Sequence, residues 1–311
     1  LLRRAVGARR VSYVGFSYGT FLGATYANLF PGRVRAMALS AILDPVGWVS
    51  RGRDVLRDPA AFAPTYLRQR TDVTARRTLN GFLNACGREP ARRCAFSAGS
   101  APATRAKFDA LLQGLEAAPP DAKVTYGDFV GMVVNDLYSP DVWGELGQKI
   151  EQVWTTGSAD GVSGNTAFPD LGGVFGINCT DSPNPGPAAF PRFDTFADQR
   201  SGAAGRFWLW VTEPCSTWPV TAPARYTGPW NRRTANPVLV IENTHDPATS
   251  YEAGVALSRA LARGRLLTVD GYGHDTRSPC TNRYVIRYLI DRHLPPRGAR
   301  CRGKQPFGAA D

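Results

Sequence analysis

Two apolar runs enclose an amphipathic segment near the start of the chain. Residues 11–16 are rich in β-branched and aromatic side chains, which is typical of a short buried strand, and residues 34–43 repeat the pattern. Between them a helix is predicted that ends at Pro31-Gly32, because four apolar side chains recur at helical spacing: Leu22, Tyr26, Leu29 and Phe30. Strand, helix and strand in this order predict a βαβ unit with parallel strands.

The strand pattern disappears over about residues 48–175, and helical patterns replace it. Four apolar residues share one helical face there: Phe108, Leu111, Leu112 and Leu115. The stretches GDFVGMVVNDLY and DVWGELGQKIEQVW also predict helices, and loops are expected at Pro119-Pro120 and residues 157–164. We therefore expect an inserted, mainly helical segment.

Strand patterns return in the C-terminal part of the chain. Residues 174–229 carry many prolines and predict strands and loops. Residues 238–241 predict a buried strand that leads into an acidic loop, and RLLTVDGYGHDT predicts a strand that ends in a histidine loop. A helix is predicted after each of these two strands: YEAGVALSRALAR and TNRYVIRYLIDRHL. The basic tail from Pro295 predicts a solvated segment.

The order of these elements predicts an α/β protein with a partial parallel sheet and an inserted helical cap. Three parts follow: a core part with the first strands (1–48), the cap (49–175), and a second core part with the acidic and histidine loops (176–311). Because the loops after parallel strands meet at one edge of the sheet, we expect the functional residues at that edge.

Composition fits a folded globular protein and argues against a membrane span and against a nucleic-acid partner. Of the 311 residues, 43% are hydrophobic, and no apolar run is long enough to span a membrane. The net charge of +11 comes mostly from arginines scattered along the chain, without a nucleic-acid-binding motif. We expect no nucleic-acid partner, and a nucleic-acid binder is the least favoured alternative.

Six cysteines indicate disulfides rather than a metal site: Cys86, Cys94, Cys179, Cys215, Cys280 and Cys301. They form no C-x-x-C pair and only three histidines accompany them, so we expect neither a metal nor a cofactor. Many connectivities are open, and the simplest joins sequence neighbours, Cys86 with Cys94, Cys179 with Cys215, and Cys280 with Cys301. Disulfides persist in oxidising compartments, which predicts an exported protein, with buried thiols in a cytosolic enzyme as the alternative.

The pentapeptide Gly15-Phe16-Ser17-Tyr18-Gly19 lies at the junction of the first predicted strand and helix. It fits G-x-S-x-G, which in α/β-hydrolases holds a nucleophilic serine on a tight strand-to-helix turn. Side chains at Gly15 and Gly19 would collide with the neighbouring turn, and the strained backbone would expose Ser17 Oγ. A glycine-rich turn with an incidental serine is the alternative.

An acid and a base follow in the chain order that this chemistry uses. Ser17, Asp246 and His274 each follow a predicted strand, and α/β-hydrolases present serine, acid and histidine in that order. In this hypothesis Ser17 attacks a carbonyl, His274 accepts its proton, and Asp246 orients the imidazole. The backbone N–H of Tyr18, at the helix N-terminus, would be one oxyanion donor.

Other residues compete for the roles of acid and base. Asp44 also follows a strand end, whereas Asp246 precedes a proline and could simply begin a turn. His245 fits a loop histidine, and His293 lies near a helix C-terminus, where its charge suits the helix dipole. His274, in GYGH directly after a strand, is the stronger candidate for the base, and a structural histidine is the alternative.

Five segments together resemble one family of enzymes: GFSYGTFLGATYANLFPGRVRAMALSAILDP, INCTDSP, PCSTWP, THDPATSYE and VDGYGHDTRSPC. They are similar to the secreted bacterial tripeptidyl aminopeptidases, α/β-hydrolases related to prolyl aminopeptidase, over about residues 2–301. The resemblance implies a serine exopeptidase that releases short peptides, often tripeptides, from free N-termini, with Ser17, Asp246 and His274 as its triad. It also implies that the helical insertion caps the active site.

An exopeptidase must recognise the ammonium group of its substrate, and carboxylates in a cleft are the physical means. Asp181 and Glu213 lie beside the second expected disulfide and are the candidates, with Asp136 and Glu242 as weaker ones. For all four, a solvated or structural carboxylate is the alternative.

The resemblance also implies a preceding half of the core, with several strands and a glycine-rich loop that donates the second oxyanion N–H. No segment of this chain corresponds to that half, so residues 11–16 are expected to form an exposed apolar sheet edge, completed by a missing N-terminal segment or a second chain. Two functional alternatives stay open: an esterase or lipase-like hydrolase with the same triad, and a non-catalytic hydrolase remnant.

Overall fold

The computed structural model describes residues 2–49, 62–119, 121–158 and 171–308. Five parallel strands form one sheet, in which each strand pairs with the next along the chain: β1 (Val11–Phe16), β2 (Val34–Ser40), β3 (Val238–His245), β4 (Gly264–Tyr272) and β5 (Arg300–Arg302). The α/β class and the parallel sheet expected from the sequence are confirmed.

Helices make up much of the remaining described chain. In chain order they are α1 (Leu2–Ala5), α2 (Tyr18–Leu29), α3 (Pro45–Val49), α4 (Thr65–Arg68), α5 (Thr71–Cys86), α6 (Ala101–Glu116), α7 (Tyr126–Asp136), α8 (Trp143–Thr156), α9 (Leu171–Asp181), α10 (Phe190–Trp210), α11 (Tyr251–Ala260) and α12 (Pro279–Asp291).

Both faces of the sheet are covered by helices. Side chains of β2 and β3 alternate between two apolar clusters, because successive residues of a strand point to opposite faces. Met37 and Val240 join the cluster that includes α2 and α11, whereas Ala38 and Ile241 join the cluster built around Tyr288 of α12. The central strands are therefore buried on both sides, as is typical of parallel sheets.

The second strand is shorter than residues 34–43, the range expected from its apolar pattern. It ends at Ser40 because Ala41 has a left-handed backbone conformation with a φ of 58°. The Ala41 N–H still donates to the carbonyl of Ile241 at 3.2 Å, and the chain then turns away from the sheet. Ile42 and Leu43 remain buried, which explains why the apolar pattern predicted a strand that extends to residue 43.

Helices α5 to α8 and part of α10 enclose an apolar core of their own. Its largest fully buried side chains are Phe82, Phe96, Phe129, Trp143 and Trp208. The expectation of helices in this segment is confirmed, and Gly157 ends α8 in a left-handed conformation with a φ of 63°. The loop expected at residues 157–164 otherwise lies largely outside the described residues.

The expectation of strands within residues 174–229 is wrong. This region contains α9 and the long helix α10, which packs along α5. Pro191 does not prevent α10 because it lies in the first turn, where a missing N–H costs no helical hydrogen bond. Phe190, Phe193 and Ala197 are buried at helical spacing, and a break at Gly202, with a φ of 56°, hides the continuity of the pattern.

The expectation of a solvated tail from Pro295 is also wrong at residues 300–302. Residues 300–302 form β5, which pairs with β4, and Cys301 is buried and bonded to Cys280. The other two disulfides are Cys86–Cys94 and Cys179–Cys215. All six cysteines are therefore joined between sequence neighbours.

The first strand lies at an edge of the sheet, as expected. Val14 and Phe16 of β1 are 59% and 48% exposed, and both line a cavity of about 430 Å³ between β1 and α12. Edge strands with exposed apolar side chains are suited to pair with a further strand. In the described part of the chain, no helix combines the length and apolar character needed to cross a membrane.

Candidate active site

The turn between β1 and α2 holds Ser17 in an unusual backbone conformation, with φ 53° and ψ −123°. Its N–H donates to the Ser40 carbonyl at 3.0 Å, and its own carbonyl accepts from the N–H and Oγ1 of Thr20 at 2.8 and 2.6 Å. A residue with a side chain adopts such a conformation at a cost of about 1 to 3 kcal/mol, and the surrounding bonds maintain it. The turn is therefore the strained strand-to-helix junction that the pentapeptide predicts.

The two glycines of the pentapeptide differ in how much space they leave. A Cβ on Gly15 would lie 2.5 Å from the carbonyl oxygen of Gly19, a separation that only a shift of backbone could relieve. A Cβ on Gly19 would lie 3.4 Å from Tyr13 Oη, which is close to ordinary contact. The expected collision is found at Gly15 and not at Gly19.

Helix α2 begins at Tyr18, directly after Ser17. The first N–H groups of a helix have no acceptor within the helix, and the helix dipole adds partial positive charge there. The backbone N–H of Tyr18 is thus suited to a developing oxyanion, and its assignment as an oxyanion donor stays a prediction.

Asp246 and His274 meet at the same edge of the sheet, after β3 and β4. The imidazole Nδ1 of His274 lies 3.0 and 2.9 Å from the two carboxylate oxygens of Asp246. The buried carboxylate also accepts from the N–H of Ala248 at 2.7 Å and from the N–H and Oγ1 of Thr249 at 2.9 and 2.8 Å. These bonds fix the carboxylate in the orientation that faces the imidazole.

The histidine loop is held by the turn after α7 as well as by the sheet. The N–H of His274 donates to the carbonyl of Tyr138 at 2.9 Å, and the N–H of Gly273 donates to the carbonyl of His245 at 3.0 Å. The imidazole packs between two rings, with centroid distances of 4.8 Å to Phe16 and 5.1 Å to Tyr138. Because Phe16 immediately precedes Ser17, the imidazole lies beside the turn that carries the serine.

The competing acid and bases occupy other environments. The carboxylate of Asp44 accepts from the N–H groups at 46 and 47, at 3.1 and 3.2 Å, in the first turn of α3. His245 stacks on Tyr272 at 4.3 Å, and its Nδ1 lies 3.0 Å from the hydroxyl of Thr244. His293 is exposed beyond the end of α12. Of the two candidate acids, Asp246 is the one in contact with His274.

A cavity of about 670 Å³ opens beside Ser17 and His274. Most of its lining is apolar or aromatic: Phe16, Tyr18, Leu43, Trp48, Tyr66, Tyr138, Gly173, Val174, Ile177, Trp208 and Ala248. Asn178 and Thr249 add polar groups, and none of the described residues that line it is an aspartate, glutamate, lysine or arginine. Within the described ranges, no group of three or more His, Cys, Asp or Glu side chains could hold a metal ion.

Asp181 lies just behind the cavity wall. The hydroxyl of Tyr18 donates a hydrogen bond to its carboxylate. Burial, together with that hydrogen bond to the carboxylate, raises the pKa of Tyr18 well above its usual value. Asp181 is therefore connected to the cavity by a hydrogen bond with the side chain that follows the serine.

The other three carboxylates considered for the substrate ammonium lie in different environments. Glu213 is half-buried in a short turn beside Cys215, where the hydroxyl of Ser216 lies 3.3 Å from Oε1. Asp136 pairs with Lys149 at 2.8 Å. Glu242 is fully buried and accepts two backbone N–H groups, so it is closed to a substrate.

Sequence reasoning missed the aromatic wall of the cavity. Trp48 lies in α3 and Tyr66 in α4, whereas Tyr138 lies in the turn after α7 and Trp208 in α10, and no local pattern connects the four. Burial raises the pKa of Tyr66 to about 12, so its hydroxyl stays neutral. Thr249 was also missed, although its position three residues after Asp246 in a turn is a signal for a hydroxyl that bonds the carboxylate.

Two protein families match this chain. The family described as alpha/beta hydrolase fold matches residues 1–129, and the family described as TAP-like protein matches residues 201–301. The two matches cover the turn around Ser17 and the loops with Asp246 and His274. The alpha/beta hydrolase match agrees with the parallel sheet and its surrounding helices.

Three curated relatives show the range of names among similar proteins. Serine protease Hip1 of Mycobacterium tuberculosis is 28% identical over 96% of this chain and 59% of its own length. Tripeptidyl aminopeptidase of Streptomyces lividans is 27% identical over 97% of this chain and 56% of its own length. Carboxylesterase B of Mycobacterium tuberculosis is 30% identical over 88% of this chain and 53% of its own length. The chain thus spans a little over half the length of the curated relatives it matches.

Replacing Gly15 by alanine is expected to destabilise the protein by about 1 to 3 kcal/mol, because the new methyl group would overlap the Gly19 carbonyl. Gly19→Ala is the matched control and should change the free energy of unfolding by less than about 1 kcal/mol. Urea unfolding measures both. Equal losses in the two variants would contradict this description of the turn.

Glu242→Gln is expected to change the pH dependence of stability. Burial, and next the charge of Asp246, raise the pKa of Glu242 in the folded protein. Above the unfolded pKa of about 4.3, the folded state therefore binds the extra proton, and the free energy of unfolding falls as pH rises toward the folded pKa. The variant lacks this penalty, so its stability relative to the wild type should rise with pH in urea unfolding from pH 4 to 8.

Glu252→Gln is the control, and its stability relative to the wild type should change with pH in the opposite direction. Burial raises the pKa of Glu252, but the hydrogen bond and charge of Arg77, a backbone hydrogen bond and the charge of Arg70 together lower it by more, so the net pKa is lowered. This carboxylate stabilises the fold above its unfolded pKa, and that contribution is lost as pH falls. A difference between wild type and Glu242→Gln that does not vary with pH would refute the prediction.

Proposed function

The chain belongs to the α/β-hydrolases and has a TAP-like C-terminal part, and on that premise we propose that it is a serine peptidase that removes short peptides, tripeptides above all, from free N-termini. The observation that carries the proposal is the contact between Asp246 and His274 beside the cavity that Ser17 lines. The names of the relatives, a serine protease and a tripeptidyl aminopeptidase, support the same reaction class.

The proposed reaction proceeds through an acyl-enzyme. Ser17 Oγ attacks the carbonyl carbon of the scissile peptide bond while Nε2 of His274 accepts the hydroxyl proton. The carboxylate of Asp246, bonded to Nδ1, stabilises the imidazolium, and the Tyr18 N–H donates to the oxyanion. The imidazolium then protonates the leaving amine as the C–N bond breaks, and water, activated by the imidazole, hydrolyses the acyl ester and restores Ser17.

The substrate is bound by apolar contact and by one carboxylate in this proposal. The aromatic wall supplies contact area for the peptide side chains next to the scissile bond. Asp181, bonded to Tyr18, supplies the negative charge for the ammonium group at the free N-terminus.

A carboxylesterase is the second candidate. The cavity is largely apolar and none of its described lining residues carries a carboxylate, an environment that suits an uncharged acyl group. A relative named Carboxylesterase B is 30% identical to this chain. Both candidates use the same acyl chemistry, so only the substrate distinguishes them.

Two further expectations belong to the proposal. The three disulfides suit a secreted protein, because such bonds persist in oxidising compartments. The exposed edge of β1 suits an additional strand, supplied by a longer form of the polypeptide or by a second chain. That addition would bring the second oxyanion donor, and the loss of one such donor costs about 10² to 10³ in rate.

Hydrolysis of a chromogenic tripeptide amide with a free N-terminus tests the reaction. We expect turnover that falls at least about 10³-fold in Ser17→Ala and in His274→Ala, because members of a triad act as a unit. His293→Ala, which alters an exposed histidine, should keep full activity. Hydrolysis of uncharged esters without turnover of any peptide that has a free N-terminus would favour the carboxylesterase, and equal rates in wild type and Ser17→Ala would exclude serine catalysis.

Asp181→Asn tests the recognition of the ammonium group. The amide oxygen can still accept from Tyr18, but the negative charge is lost, so kcat/KM for the free tripeptide amide should fall about 10- to 100-fold. The N-acetylated amide should be cleaved poorly by both proteins and to the same extent. Glu213→Gln is the matched control. A larger loss of kcat/KM in Glu213→Gln than in Asp181→Asn would assign recognition of the ammonium group to Glu213.

A further inference from the structure

Asn243 is a fully buried amide in β3, three residues before Asp246. Its Nδ2 donates to the carbonyl of Gly273 at 2.7 Å and to the carbonyl of Asp275 at 3.0 Å. These two carbonyls flank His274. A single side chain therefore holds the histidine loop on both sides of the imidazole-bearing residue.

The loop at this place cannot be held by regular strand pairing. The register of β3 and β4 shifts between Asn243 and His245, and β4 ends at Tyr272. Gly273 has a φ of 91°, and a Cβ there would lie 2.7 Å from the carbonyl oxygen of Tyr138. The carbonyls at 273 and 275 turn toward β3, and buried carbonyls need donors. Asn243 supplies both.

The amide of Asn243 makes its side-chain hydrogen bonds to this loop. Its Oδ1 has no hydrogen-bond partner among the described residues, so the fold tolerates an unpaired buried oxygen at this position. Burying an unpaired acceptor lowers stability, and an apolar side chain of similar size would avoid that loss. An apolar side chain would, however, leave the carbonyls at 273 and 275 without this donor, so the contacts favour a role in placing the loop over a role in packing.

We propose that Asn243 is a positioning residue that fixes the histidine loop, so that Nδ1 of His274 meets Asp246 and the imidazole faces the cavity beside Ser17. Both contacts start from one rigid element, since Asn243 lies within β3 and Asp246 follows its end directly. The distance between acid and base is then set by the strand rather than by the flexibility of two loops. The inference rests on the proposed serine hydrolase function.

Asn243→Leu is the main test because leucine matches the size of asparagine and removes both donors. Asn236→Leu is the matched control, since Asn236 makes one bond of the same kind, to the Val34 carbonyl at 3.3 Å, just before the start of the same strand. Three measurements are made on each protein: thermal unfolding, amide hydrogen exchange of the segment 271–278, and the rate at which a fluorophosphonate probe labels Ser17.

We expect Asn243→Leu to fold with a thermal midpoint a few degrees below that of the wild type, because the carbonyls at 273 and 275 lose their donor. Exchange in residues 271–278 should accelerate about tenfold or more, because the loop opens locally without global unfolding. Labelling of Ser17 should slow about 10²-fold, the effect typical of a misplaced catalytic group. For the tripeptide amide, kcat should fall while KM stays constant, because the cavity wall is unchanged. Asn236→Leu should match the wild type in exchange and labelling.

Two results would overturn the proposal: a folded Asn243→Leu protein with unchanged loop exchange, or faster loop exchange with unchanged labelling. If wild type itself is not labelled, the serine hydrolase function fails, and loop exchange alone then decides whether Asn243 holds the loop. If the leucine variant does not fold, loop exchange and Ser17 labelling are measured instead on Asn243→Ser, whose side chain is smaller and polar.

Discussion

The common direction of the five strands is the constraint on which the site depends. Because all strands run in parallel, the loops after β1, β3 and β4 leave the sheet at the same edge, and residues far apart in the chain become neighbours. The central strand β3 does most to arrange them. Glu242 binds the turn after β2 through the N–H of Ile42, Asn243 binds the histidine loop, and Asp246 meets His274. Three side chains within five residues of one strand and its end thus connect the loops around Ser17.

Much of the core fold could be predicted from local pattern, because buried parallel strands and amphipathic helices have distinct periods. The strand at residues 11–16, the helix after it and the last two core helices were found in this way. The helices within residues 174–229 were not, since prolines and a break at Gly202 interrupt their apolar period. The strand β5 was missed because its three residues carry no period at all, and pairing with β4 together with a disulfide decides their conformation.

The candidate site was partly predictable for a different reason. Chain order and position after strands singled out Ser17, Asp246 and His274, and the structure joins the last two in a hydrogen-bonded pair. Tertiary contacts determine the remainder. The aromatic wall is assembled from three helices and a turn that are far apart in the chain, and Asp181 is connected to the cavity by its hydrogen bond with Tyr18. Asn243 shows the same limit, because the role of an asparagine in an apolar strand cannot be inferred until the carbonyls that it binds are known.

A crystal structure of the protein after reaction with a small fluorophosphonate would test the central claim most directly. We predict a covalent bond between Ser17 Oγ and phosphorus, with Nε2 of His274 within about 3.2 Å of that oxygen and Nδ1 still bonded to Asp246. The phosphonyl oxygen should point toward the N–H of Tyr18. A phosphonate attached to any other residue, or an imidazole turned away from the modified serine, would contradict the account.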